Sequence, residues 1–284
     1  LKELKELRCL PERYTIIESS PELRERQKKL IQDLAPELVE RVHWSDKPPT
    51  KPIEGCAIAN EVLDALPARY FEVRDGELFE FWVRQGEAGR LTWQTLPAEE
   101  AMQKTLNATS GFNYCFSLSH YLFEIIPAIP AWITDLDSIL RAGAAFLFDY
   151  GSGRKERYGP AYSGGSLRCF VQHRVHGDPL VYPGVQDITT SVDFTAVAEA
   201  AVDAGFQVSG YTDQANFLMG CGILHKVTDL HVGADENSVL ELNEELKTLL
   251  MPTKMGTSFK SIALSKGYDE PLLGYSLRDH RGSL

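Results

Sequence analysis

The stretch Gly55 to Pro67, GCAIANEVLDALP, decides the fold. It runs apolar for five residues and then sets Asn60, Glu61 and Asp64 within one turn of one another. A strand that is apolar on both faces belongs in a parallel sheet covered on both sides, and an open parallel sheet binds ligands outside the carboxyl ends of its strands. Three other segments share the pattern. YTII (14–17) is followed by Glu18 and Ser19, LVERVHW (38–44) by Ser45 and Asp46, and GAAFLF (143–148) by Asp149 and Tyr150. Four strand ends thus direct acidic or polar groups to one rim.

Two readings stay open at each of these positions. An acid that closes a strand ahead of a helix can accept both hydroxyls of a ribose, or it can be a solvated loop carboxylate, and Glu18 fits either. Glu61 and Asp64 lie three apart, on one face if the chain turns helical there, where paired carboxylates can hold a guanidinium or take up a proton. Alternatively Asn60 caps a helix and the two acids favour its positive end.

Helical patterns alternate with the strands. Ser20 suits a helix cap and Pro21 a first helical position, so residues 14–31 read as strand, turn and helix. VDFTAVAEAAVDAGFQVSGYT (192–212) reads as a helix closed by Gly205 and then a strand, and residues 238–267 repeat that order. The fold class is therefore α/β, with about six strands joined mostly by crossover helices. Residues 1–67 and 132–284 form its core. Residues 68–131 are an insertion: an antiparallel meander turning at Asp75-Gly76 and at Glu87 to Gly89, then a connector in which HYLFEIIPAIPAWITDLDSILRAG (120–143) reads as a broken helix. Residues 151–191, rich in Gly, Pro and Tyr, follow no regular period and are too long for an ordinary connector, as lids and binding segments are.

With 29 Lys and Arg against 40 Asp and Glu, the net charge of −11 disfavours nucleic acid; it would steer a cationic substrate favourably, but it serves solubility alone in the more common case. Five scattered cysteines, never in CxxC spacing, point to a reducing compartment. Cys56 and Cys221 read as core, and Trp82, Trp93 and Trp132 as packing residues. No apolar run reaches the roughly 20 residues of a membrane span.

Six blocks carry a resemblance: IIESSPELRERQ (16–27), ANEVLDALP (59–67), LFDYG (147–151), GGSLRCFVQHRVHGDPLVYPGVQDITTSVDFTAVAEA (164–200), QANFLMGCGI (214–223) and MGTSFKSIAL (255–264). Together, in this order and over nearly the whole chain, they resemble the MidA-like family of S-adenosylmethionine-dependent methyltransferases. That family includes a mitochondrial protein arginine methyltransferase needed for assembly of respiratory complex I, along with many bacterial members.

The resemblance implies a class I methyltransferase Rossmann-like sheet, mostly parallel with its last strand antiparallel, and makes the meander and the 151–191 segment insertions of the family. It also implies a strand and a glycine-rich turn ahead of Leu1, with LKELKEL the first helix after them. S-adenosylmethionine is the implied cofactor. Glu18, with Ser19 beside it, is then the ribose ligand, Ser45 or Asp46 reads the adenine edge, and Asn60 and Glu61 face the transferable methyl group. Glu61 and Asp64 would bind a substrate arginine, with Asp149, Tyr150, His173, Arg174, His176, Asp178, Gln186 and Asp187 lining the peptide cleft. Pairing with Arg174 is favoured over a metal site for His173, His176 and Asp178, so no metal is expected. The implied partners are a protein substrate such as a respiratory-complex subunit, and a second copy in a homodimer. A bacterial cytoplasm, or else the mitochondrial matrix, is the implied compartment. The rival reading is a non-catalytic assembly factor, a binding platform on the same fold.

Overall fold

In the structure, a computed structural model, residues 1–172 and 174–284 are described, Ala88 by its backbone alone, and they fall into two compact units, Leu1–Ile53 and Glu54–Leu284. The smaller unit contains helix α1 (Lys2–Glu6), strand β1 (Tyr14–Ile17), helix α2 (Pro21–Leu34) and strand β2 (Val42–Ser45). Ser20 Oγ accepts from Leu23 N at 3.3 Å and Pro21 supplies the first helical residue, so α2 starts where its cap requires. Because α2 crosses over, β1 and β2 pair in parallel, Tyr14 beside Val42 through Ile17 beside Ser45. The expected strand from Leu38 is shorter: Pro36 fixes a helical φ and opens a tight 3₁₀ turn, Pro36–Arg41, so extended pairing begins only at Val42.

The larger unit takes up the chain at Glu54, the second residue of β3 (Ile53–Asn60), whose partner is β8 (Leu140–Ser152). Gly143 takes φ +128°, and a Cβ there would lie 1.8 Å from Gly55 O, so only glycine lets the two backbones meet. With Gly55 against Gly143 and Glu61 N donating to Phe148 O, β3 runs in the direction of β8. β3 was expected to be buried on both faces, but it is one-sided. Ala57 and Ala59 pack on the core, while Cys56 is exposed and Ile58 is 67% exposed, the period-2 pattern of a strand covered on one face.

Between β3 and β8 lies a four-stranded antiparallel sheet, order β6-β5-β4-β7, from β4 (Arg69–Arg74), β5 (Glu77–Gln85), β6 (Leu91–Pro97) and β7 (His120–Ile125), with α3 (Glu100–Ala108) and α4 (Asn113–Phe116) ahead of β7. Asp75 and Gly76 both take left-handed φ, +49° and +84°, the geometry of a tight hairpin turn. The broken-helix reading of residues 120–143 holds only from α5 (Ile129–Ile139) onward. Residues 120–125 alternate instead: Tyr121 and Phe123 are buried with Phe71, Leu78 and Phe112, and β7 pairs with β4 from Arg74–His120 to Arg69–Ile125.

β8 is covered on both faces. Ala145 and Leu147 join Ile133, Phe194, Val197 and Ile262 in the main core, while Phe146 and Phe148 meet Phe217 with ring centroids 6.2 and 4.9 Å apart. After β8 come α6 (Arg154–Arg157) and a small antiparallel sheet, order β10-β9-β11, made of β9 (Arg168–Val171), β10 (Arg174–His176) and β11 (Asp187–Thr189). Strands of three or four residues leave no periodic signal, which is why 151–191 reads as irregular from sequence. The chain continues through β12 (Val192–Asp193), α7 (Phe194–Asp203), β13 (Gln207–Asp213), α8 (Gln214–Gly220), α9 (Ile223–His231), α10 (Glu236–Leu250) and β14 (Phe259–Lys266). β12 pairs parallel with β8, while β14 runs antiparallel between β8 and β13, giving the reversed last strand.

A buried ion pair fastens the inserted sheet to the 151–191 segment. Arg157, fully buried on α6, donates from Nη2 to Glu124 Oε2 on β7 at 2.7 Å and from Nε to Ser191 O at 3.1 Å. Glu124 also accepts from Ser166 N and Oγ and from Leu167 N. No helix among the described residues is long and apolar enough to cross a membrane.

Candidate functional site

The corner after β3 is built by its backbone. Glu61 takes φ +51°, a left-handed conformation that costs a non-glycine residue about 1 kcal/mol and persists only where surrounding structure imposes it. Here the bond from Glu61 N to Phe148 O, 2.9 Å, imposes it. Asn60 Nδ2 donates to Glu61 Oε1 at 3.1 Å, and both side chains are exposed. Residues 61–66 form no helix, so Asn60 caps none and Glu61 and Asp64 do not stack on a helix face. Glu61 faces solvent, whereas Asp64 is buried.

Asp64 is held by Asp149 instead. Asp149 Oδ2 accepts from Leu63 N at 2.9 Å and Asp64 N at 3.2 Å, and its Oδ1 accepts from Tyr150 N at 3.1 Å. Both acids are almost wholly buried, at 4% exposure for Asp64 and 1% for Asp149, and Asp64 Oδ1 has no hydrogen-bond partner among the described residues. Burial, reinforced by the charge of Glu61, pushes the Asp64 carboxyl up to about 6. Burial and the charge of Asp64 push Asp149 up to about 7, against the pull of its N–H partners. The charge of Asp64 opposes ionisation of Asp149, while a hydrogen bond from the Asp149 side chain favours the ionised Asp64, so near neutral pH the pair shares about one proton.

Two residues passed over in the sequence reading complete the corner. Tyr150 hydroxyl lies 2.8 Å from Thr189 Oγ1, and Thr190 N donates to Asp64 O at 3.1 Å. Burial pushes the Tyr150 phenol up to about 12, which keeps it protonated. The signal for Thr189 and Thr190 lay in the QDITTS block, which runs directly into β12, the strand paired with β8.

In the smaller unit, the ends of β1 and β2 lie side by side. Glu18 is half-buried and accepts from Ser20 N at 2.9 Å and Gln27 Nε2 at 3.4 Å, while its backbone N donates to Ser45 O at 2.9 Å. Ser45 Oγ donates to Lys47 O at 2.6 Å; Ser19 and Asp46 are exposed. Trp44 Nε1 donates to Gln27 Oε1 at 2.9 Å.

The residues expected to line the peptide cleft are not gathered at the corner. Arg174 pairs with Val171 and Asp187 with Phe170 in the small sheet, Asp178 accepts from Leu180 N at 3.0 Å, and Gln186 donates to Pro179 O at 2.6 Å. His176 packs against Tyr182, and its Nε2 is buried without a hydrogen-bond partner among the described residues. None of these five is hydrogen-bonded to Asp64, Asp149 or Tyr150 among the described residues, and His173 lies outside them. Cys221 is exposed rather than core. Trp132 packs against the main core, while Trp82 is 52% exposed on the inserted sheet.

Comparison with known proteins agrees with this architecture. A family model described as "Putative S-adenosyl-L-methionine-dependent methyltransferase" matches residues 1–212. A crystal structure of a Burkholderia thailandensis protein bound to S-adenosyl-homocysteine superposes with a TM-score of 0.90 at 34% identity, covering 100% of this chain and 72% of that one. A second native structure from the same organism gives a TM-score of 0.92 at 35% identity, covering 100% and 74%. Among curated relatives, the mitochondrial protein arginine methyltransferase NDUFAF7 homologue of Caenorhabditis elegans is 28% identical over 211 residues, 73% of this chain and 46% of the relative. The Drosophila melanogaster homologue is 31% identical over 143 residues, 47% and 30% of the two chains, and human NDUFAF7 is 32% identical over 145 residues, 50% and 31%. The chain thus spans less than half the length of these curated relatives. The chain belongs to the S-adenosyl-L-methionine-dependent methyltransferase family that its motifs resemble, the MidA-like family.

Proposed function

We propose that this chain carries a protein arginine N-methyltransferase activity. The observation that carries the reading is Glu61, exposed and held left-handed at the sheet rim, three residues before Asp64, which is buried against Asp149 and shares a proton with it near neutrality. An arginine guanidinium and the sulfonium of the cofactor are both cationic, and an acid-rich corner with an unpartnered carboxylate oxygen suits cations. The named function of the curated relatives supports the same acceptor.

Bound S-adenosylmethionine supplies an electrophilic methyl group. Within the smaller unit, Glu18 would hold the ribose, with Ser19, Ser45 and Asp46 around the nucleoside. Glu61 accepts a guanidinium N–H, localises the positive charge and leaves one terminal nitrogen free to attack. A methylated guanidinium remains a cation, so one N–H proton must leave as the methyl arrives, and the Asp64–Asp149 pair is its destination. Asp149 also fixes the Leu63–Asp64 backbone behind Glu61, so it is a positioning residue as well. The 151–191 segment forms the wall or lid of the peptide cleft. A respiratory-complex subunit is the first acceptor to assay, sedimentation tests for a homodimer, and a bacterial cytoplasm or the mitochondrial matrix is the setting we favour.

Glu61→Gln on the full-length protein should lower methyl transfer to arginine peptides by at least about 100-fold while S-adenosylhomocysteine affinity, by calorimetry, stays within about twofold. Retained turnover would remove Glu61 from the mechanism. Absence of any binding heat in the wild type would favour the platform reading.

A further inference from the structure

The register across three neighbouring strands points to a second site. Lys260, near the start of β14, stands opposite Asp149 of β8 on one side and opposite Asp213, the last residue of β13, on the other. Directly opposed residues of an antiparallel pair project from the same face, so Asp149, Lys260 and Asp213 form a row across one face of the sheet at its carboxyl-end rim. At the far end of that row, wholly within the larger unit, opens a cavity of about 460 Å³ whose lining includes Lys155, Glu156, Thr212, Asp213, Lys260 and His280. That volume lies within the range of ligand pockets.

The charges in this cavity are not equally available. Asp213 is taken: its carboxylate caps α8, accepting from Asn216 N at 2.8 Å and Asn216 Nδ2 at 2.9 Å. Lys260 Nζ donates to Thr257 O and to no other acceptor found among the described residues, although an ammonium carries three N–H donors. Burial draws the Lys260 ammonium below the usual lysine range, with Glu156 and Asp213 only opposing that effect. A chain of net charge −11 has therefore set an under-satisfied ammonium in a half-buried hollow, with the cation of Lys155 and the carboxylate of Glu156 beside it. An anionic visitor would satisfy both cations.

We propose that this cavity is a subsite for the acceptor protein that takes an acidic side chain two to four residues from the methylated arginine. The inference rests on the arginine methyltransferase reading. Two interstrand steps of about 4.8 Å separate the end of β3, where Glu61 lies, from β14, which carries Lys260, a span that an extended peptide covers in about three residues. The acceptor's arginine would lie at the Glu61 corner and its acidic neighbour against Lys260.

The test is direct binding to full-length protein saturated with S-adenosylhomocysteine, read by fluorescence anisotropy. The probes are fluorescein-labelled decapeptides with one arginine and, three residues away, either Glu or Gln. The Glu peptide should bind about tenfold tighter. Lys260→Gln should abolish that preference without changing affinity for the Gln peptide or for S-adenosylhomocysteine, and Lys260→Arg should restore it. Equal binding of the two peptides by a wild type that methylates both would overturn the subsite and leave the activity standing. Loss of S-adenosylhomocysteine binding in Lys260→Gln would also overturn it, assigning the lysine to the cofactor. If the wild type neither binds nor methylates any arginine peptide, the activity itself fails and the subsite with it.

Discussion

Two buried acidic sites in the larger unit, both near the 151–191 segment, were built in opposite ways. Glu124 faces a counter-charge and is saturated with donors: Arg157 Nη2, Ser166 N and Oγ, and Leu167 N. Asp64 faces another carboxyl and its Oδ1 has no hydrogen-bond partner among the described residues, while Asp149 accepts from the backbone N–H groups of Leu63, Asp64 and Tyr150. The first arrangement neutralises a charge and fixes one conformation. The second leaves protonation undecided near pH 7, which a structural element does not need and a proton-accepting site does. Both sites are buried carboxylates of one unit, yet only the first is neutralised by a cation; in the proposed reaction the second is the proton acceptor.

Breaking the saturated site should have the largest effect. Arg157→Met leaves Glu124 buried without its cation and should cost about 3–5 kcal/mol, lowering the melting temperature by about 10 °C. The double change Arg157→Met with Glu124→Leu should recover much of that loss. A loss below about 1 kcal/mol in the single variant would contradict the structural role assigned to the pair.

Asp149→Asn should act in the opposite sense. The amide oxygen can still accept from Leu63 N and Asp64 N, and its N–H can donate to Asp64, so the like-charge conflict disappears at the cost of the bond from Tyr150 N. Folding stability at pH 8 should rise by about 1–2 kcal/mol while methyl transfer falls at least tenfold. A variant that gains stability and keeps full activity would show the pair to be catalytically idle.

The pH profile sharpens the contrast. Both acids have folded-state values above the unfolded range near 4, so the folded state binds more protons between about pH 4 and about 7, and this pair's contribution to stability falls as pH rises through that window. Glu72 behaves in the reverse sense: the hydrogen bond from Arg74 holds its carboxyl below the usual range, so its contribution is lost only on acidification below pH 4. Denaturant unfolding of wild type minus Asp149→Asn should isolate the first slope, and a difference independent of pH would refute the shared proton.

The smallest effect concerns the left-handed corner. Glu61→Gly should relieve backbone strain and stabilise the fold by up to about 1 kcal/mol, yet abolish methyl transfer. Destabilisation in that variant would mean that the Glu61 side chain, including its bond from Asn60, holds the corner.

The alternation of apolar strands and helices was legible along the chain, because sheet faces and helix stripes impose periods of 2 and 3.6 that a linear sequence records. β8, α7, β13, α10 and β14 lie where their patterns placed them. β7 was misread because Pro127 and Pro130 nearby drew His120–Ile125 into a broken helix, and only its pairing with β4 exposes the strand. At the site, Glu18, Asn60, Glu61 and Asp149 were found as strand-end polar groups, a property of position in the chain. That Asp64 turns inward onto Asp149, that Thr189 and Thr190 close over it, and that Lys260 stands between Asp149 and Asp213 were not legible, since these pairs are 85, 126, 111 and 47 residues apart.

The sequence by itself determined the α/β class, the strand-end chemistry and the family, because each is written in short contiguous blocks. Tertiary structure alone decided which acids are neutralised and which are left to share a proton. Burial and counter-charge depend on residues brought together from distant parts of the chain, and those are the quantities that set a carboxyl's affinity for its proton.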